Sequence, residues 1–84
     1  MYLKISDEER ERAIQHLIEN VPKETLLRIY EEVSKDPDWL ILQHFILGIF
    51  IRNLLREGGF AWSETTLDHE WGPITLEAAR AVLQ

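Results

Sequence analysis

Cysteine is absent from this 84-residue chain. That removes disulfides, thiol nucleophiles and Cys-ligated zinc together, and leaves stability to packing alone. Basic residues are scarce: nine Lys and Arg stand against fifteen Asp and Glu, a formal charge of −6. Residues 1 to 35 carry 6 basic and 8 acidic groups, residues 36 to 84 carry 3 and 7. Phosphate backbones and anionic membranes are held mainly by clustered Lys and Arg, so neither nucleic acid nor a membrane surface is an expected partner. Long apolar runs are also missing: the existing ones fall far short of the roughly 20 residues a bilayer span needs, and Gln43, His44, Arg52 and Asn53 interrupt them. The opening Met1-Tyr2-Leu3-Lys4-Ile5-Ser6-Asp7-Glu8 turns acidic at once and has no signal-peptide apolar core, which makes the cytoplasm the expected compartment.

What is there is ordinary for a globular domain, 45% hydrophobic and 29% charged, with room for one domain and one core. Ser6-Asp7-Glu8-Glu9 has the S-x-x-E spacing of a capping box and predicts a helix from about Asp7 to Glu19, with Ala13, Ile14, Leu17 and Ile18 on its apolar side. Val21-Pro22 ends it, and Pro22 suits the first turn of a second helix carrying Leu26, Leu27, Ile29, Tyr30 and Val33. Asp36-Pro37 reads as an N-cap followed by proline at the first helical position, so a third helix is expected from Pro37.

The third helix, from Trp39 to Leu55, is apolar on every side at 100° per residue, so it must be surrounded, either by the other helices or by a second copy of the chain. Gly58-Gly59 closes it as a C-terminal cap, and Phe60, Ala61 and Trp62 return onto the core. Ser63 to Asp68 reads as a loop or one helical turn. Gly72-Pro73 reads as a second break before a short terminal helix from about Pro73 to Leu83. No strand pattern, repeat or low-complexity segment is present. The expected fold is therefore all-α: a small bundle of about four helices around a central apolar third helix.

His44, Gly48 and Arg52 stand four apart and line one side of that helix. In a functional reading Gly48 is a gap through which a ligand or helix approaches, flanked by two polar groups. In a structural reading it is a close helix crossing, His44 is a hydrogen-bonded core histidine, and Arg52 pairs with Glu64, Asp68 or Glu70. Phe45 and Ile49 share a stripe with Asp38, Arg52 and Arg56, an apolar pair rimmed by charge of the kind a protein interface offers. Trp39, Trp62 and Trp71 sit at element edges, where core packing is the default.

No catalytic residue is assigned. Ser6, Ser34 and Ser63 lack a nucleophile-elbow context. His16, His44, His69, Asp68 and Glu70 supply ligand atoms without any metal-site spacing, so neither a metal nor a cofactor is implied.

The run His44-Phe45-Ile46-Leu47-Gly48-Ile49-Phe50-Ile51-Arg52-Asn53 resembles the pattern H-F-x-L-G-x-x-I-R-N of an uncharacterised family of small bacterial and phage helical proteins, a domain of unknown function. The resemblance extends loosely over residues 20 to 84. It departs after Asn53, where Leu54-Leu55-Arg56-Glu57 prolongs the helix in place of an Asn/Trp-rich stretch. It implies no activity, but it marks His44, Gly48, Arg52 and Asn53 as the positions to test. The leading expectation is a cytoplasmic helical interaction or regulatory module, working through a protein partner or as a homodimer. The alternative is a small-molecule or enzymatic site around His44, Arg52 and Asn53.

Overall fold

The computed structural model describes residues 4–83. Along the chain run α1 (Asp7–Asn20), α2 (Lys23–Lys35), α3 (Trp39–Leu42), a π-helical turn (His44–Gly48), α4 (Ile49–Glu57) and α5 (Glu64–Ala81). No strand occurs among the described residues, and the all-α class expected from the sequence is the one observed.

The first two helices follow their end signals. Ser6 is extended and its Oγ accepts the Glu9 backbone N–H at 3.1 Å. The Glu9 carboxylate, expected to reach back to Ser6, accepts Trp62 Nε1–H at 2.8 Å and so ties α1 to the α4–α5 loop. Val21 is extended ahead of Pro22, whose carbonyl accepts from Thr25 and Leu26 to open α2. Asp36 acts one step later than expected: its Oδ1 takes the Asp38 N–H and its carbonyl takes the Trp39 N–H, so α3 begins at Trp39 and not at Pro37.

The expected third helix is divided. Gly48 N–H bonds the Gln43 carbonyl, five residues back, at 3.1 Å, which widens one turn between α3 and α4. At the far end Gly59 N–H bonds Arg56 O and Phe60 N–H bonds Leu55 O, the paired bonds of a Schellman cap. Gly59 supplies the positive φ of 90° that such a cap needs, as Gly58-Gly59 led one to expect.

α5 overturns the break expected at Gly72-Pro73. Ser63 Oγ accepts the Thr66 N–H, and the helix runs unbroken through Pro73. Proline removes the bond to the carbonyl four residues back, a loss of about 3 kcal/mol in an ordinary helix interior. Here Pro73 faces solvent, while Leu67, Trp71, Ile74, Thr75 and Ala78 are buried on both sides of it. Each fully buried Leu or Ile contributes roughly 1.5–3 kcal/mol, so packing outweighs the defect. Thr75 Oγ donates to Trp71 O at 2.6 Å across the same turn.

α5 is also the element the others surround, packing on α1, α2, α4 and the π turn. Its inner face meets Leu17, Leu26, Ile51 and Leu55 in a core that excludes solvent from all four. The most apolar segment of the chain is not enclosed. Ile41, Leu42, Phe45 and Ile46 are 71 to 80% exposed, and Ile49 and Phe50 are each 45% exposed. Of the two ways to cover the third helix, burial by its own neighbours therefore fails along this face.

Candidate functional site

Two arrangements meet on the α3–π–α4 segment, one polar and one apolar. On the polar side Arg52 Nη1 donates to Asp68 Oδ1 at 3.2 Å and to His44 Nε2 at 3.4 Å. His44 Nε2 also lies 3.5 Å from Asp68 Oδ1, so the three groups close on one another. Of the three acids expected to partner Arg52, Asp68 does so, Glu64 lies 3.6 Å from Arg56, and Glu70 lies 2.6 Å from Arg10.

Gly48 is a close crossing. A Cβ built there would stand 3.2 Å from two atoms of the Trp71 indole, so glycine lets the buried ring lie against the π turn. Its place between His44 and Arg52 is thus occupied by α5. Asn53 is not drawn into the cluster: it is exposed, and its Oδ1 accepts from Arg56 at 3.4 Å. Arg52, Asn53 and Arg56 instead border an open groove of about 470 Å³ completed by Ile49, Glu64, Thr65 and Asp68. Two cations face two carboxylates in it, leaving little net charge to select a ligand.

The apolar side is the exposed face. Its residues fall in the pairs Ile41-Leu42, Phe45-Ile46 and Ile49-Phe50, recurring every four residues. In an α-helix of 3.6 residues per turn, such pairs would drift steadily around the axis. The π turn takes up more residues in one turn, which offsets the drift and keeps all three pairs on one side. Ile41 and Phe45 also border a mainly apolar groove of about 660 Å³ against Trp71, Pro73 and Leu76. Phe45 and Ile49, expected on an exposed strip, are on it, and Arg56 stands at its end with its side chain 46% exposed.

Other polar groups that sequence reasoning missed serve packing between helices. Arg10 Nη2 meets Glu70 Oε1 at 2.6 Å, with the Glu70 side chain only 3% exposed and Glu77 3.9 Å from the same guanidinium. Burial first, then the Glu77 charge, raises the Glu70 pKa above its ordinary value. Spacing held the signal: Glu70 lies within the buried α5 stripe of Leu67, Trp71, Ile74 and Ala78. His16 accepts from Asn20 at Nδ1, which leaves Nε2–H to donate to Leu54 O at 2.9 Å. Its ring lies so close to Gly58 that a Cβ there would stand 2.6 Å from it.

Among the described residues no three His, Asp or Glu side chains form a group that could hold a metal ion, and no helix is long and apolar enough to cross a membrane. The fold and site define a small all-α bundle with an exposed apolar face among the described residues. Comparison with family models, curated proteins and solved structures finds no match.

Proposed function

We propose that this chain is a cytoplasmic helical protein-interaction or regulatory module that docks through the α3–π–α4 face. The observation that carries the reading is the exposure of Ile41, Leu42, Phe45, Ile46, Ile49 and Phe50 on one side of a segment whose other side is in the core. Monomeric soluble proteins rarely expose a contiguous apolar patch beyond about 300–600 Å². A net charge of −6 favours a protein partner over nucleic acid or an anionic membrane.

The test is a photoreactive amino acid placed at Ile46 in the living cell, with Glu24 on α2 as the exposed control. A discrete protein adduct from position 46 alone, lost when Phe50→Asp is added, is the expected result. Equal or absent labelling at both positions contradicts the reading.

A second reading, a small-molecule or enzymatic site, draws on the groove beside Arg52, Asn53 and Arg56. The pairing of both arginines with carboxylates weighs against it. Native mass spectrometry of protein purified without added ligand decides: a retained small molecule, lost in Arg56→Ala, would favour it, and a bare chain would not.

A further inference from the structure

The docking face has a symmetry of its own. Phe45 and Ile49 stand at equal chain distances on either side of Leu47, and so do Asp38 and Arg56. The stripe is thus acidic at one end, basic at the other and apolar between. Turned end for end and laid on itself, such a stripe sets acid against base and apolar against apolar, which is the condition a two-fold interface must meet.

We infer that the occupant of this face is a second copy of the chain, paired antiparallel so that Phe45 of each copy meets Ile49 of the other and Asp38 meets Arg56. The inference rests on the docking reading and commits it to one occupant.

Area supports the pairing. At roughly 200 Å² for a large apolar side chain, the six exposures offer on the order of 800 Å² per copy as an upper bound, where a standard specific interface takes ~800 Å² from each partner. It is an upper bound because the register centred on Leu47 sets Ile41 and Leu42 opposite Asn53 and Arg52 of the other copy. Shape supports it as well, since the wide turn straightens the apolar stripe into one that a second helix can follow at the usual 8–10 Å between axes.

Charge supports it a third time. Asp38 is exposed and has no ion pair among the described residues. Arg56 Nη2 is 3.6 Å from Glu64, whose side chain is 93% exposed, a rim contact weak enough to be shared or exchanged.

Sedimentation equilibrium and native mass spectrometry of the whole chain test the pairing. The wild type is expected as a dimer of 9.9 kDa chains at micromolar concentration. Asp38→Arg places like charges at both ends of the interface, as does Arg56→Asp, and each is expected to weaken association about tenfold or more. An equimolar mixture of the two variants restores opposite charges at both contacts, so mixed dimers should form preferentially over either variant alone. Circular dichroism checks that the variants keep wild-type helicity.

A wild type that stays monomeric up to millimolar concentration overturns the inference. So do charge variants that associate like the wild type, or a mixture no stronger than its components. A monomeric wild type that still gives a heterotypic adduct from Ile46 overturns self-pairing and leaves the docking reading standing. No adduct at all overturns both.

Discussion

α5 and the α3–π–α4 segment exchange the places their compositions suggest. α5 contains Gly72, Pro73, Glu70 and two buried threonines, yet it is the element around which the other helices pack. The α3–π–α4 segment is the most apolar stretch of the chain, yet six of its large side chains face outward. Burial follows where a residue falls on its helix and what the helix packs against, and apolar content alone does not fix it. On α5 the inward positions recur at helical spacing and outweigh a proline. On the outer segment the apolar residues outnumber what one side of a helix can bury.

The largest expected difference between the two regions is in stability. Ile74→Ala on α5 should cost about 2–5 kcal/mol, because it opens a cavity in the core. Phe45→Asp on the outer face should change the stability of the separated chain by less than about 0.5 kcal/mol. Urea denaturation at concentrations where the chain is monomeric checks both, and equal losses would erase the distinction.

Arg10→Ala comes next, and it carries a pH signature. Removing an ion-pair partner from a buried carboxylate costs up to about 3–5 kcal/mol near pH 7, and other contacts of Glu70 reduce that figure. Because the folded-state pKa of Glu70 is raised, its protonated form is the one the fold favours. Its contribution to stability is therefore fully present below the ordinary carboxylate range and is lost as pH rises through the raised value. The Arg10→Ala deficit should accordingly shrink as pH falls from 7 to 4, and a deficit that grows toward acid would contradict this account of Glu70.

Gly48→Ala presses a methyl group toward the Trp71 indole and should cost about 1–3 kcal/mol, with a change in tryptophan emission that marks the crossing. Gly59→Ala forces a side chain into positive φ and should cost about 1–2 kcal/mol. Arg52→Ala should cost less than either glycine variant, below about 1 kcal/mol from the ion pair, since the Asp68 side chain is 53% exposed. A loss of several kcal/mol there would make the His44–Arg52–Asp68 cluster a buried strut.

Where a local signal acts alone, the sequence was readable. Ser6 opens α1, Val21-Pro22 separates α1 from α2, and Gly58-Gly59 closes α4, because each rests on bonds made within a few residues. The line of His44, Gly48 and Arg52 also emerged, with Asp68 among its named acids. Four features did not emerge, since each depends on contacts distant in the chain. Pro73 stays helical because core residues lie on both sides of it. Glu70 is buried within the α5 stripe and met there by Arg10 from α1. Gly48 was legible as a close crossing, but Trp71 as the ring it meets was not. Asn53 turns outward to Arg56, although it is next to Arg52 in the sequence. The π turn had one legible trace, the four-residue recurrence of the pairs Ile41-Leu42, Phe45-Ile46 and Ile49-Phe50.

Hydroxyl-radical footprinting across a concentration series tests most directly whether the apolar segment lies outside the chain's own fold and is covered by association. Phe45 and Phe50 should label strongly when the chain is dilute and lose labelling as concentration rises, while the buried Trp71 stays protected throughout. Protection of Phe45 at every concentration, in a species of 9.9 kDa, would show that the chain covers this face by itself and would contradict the account.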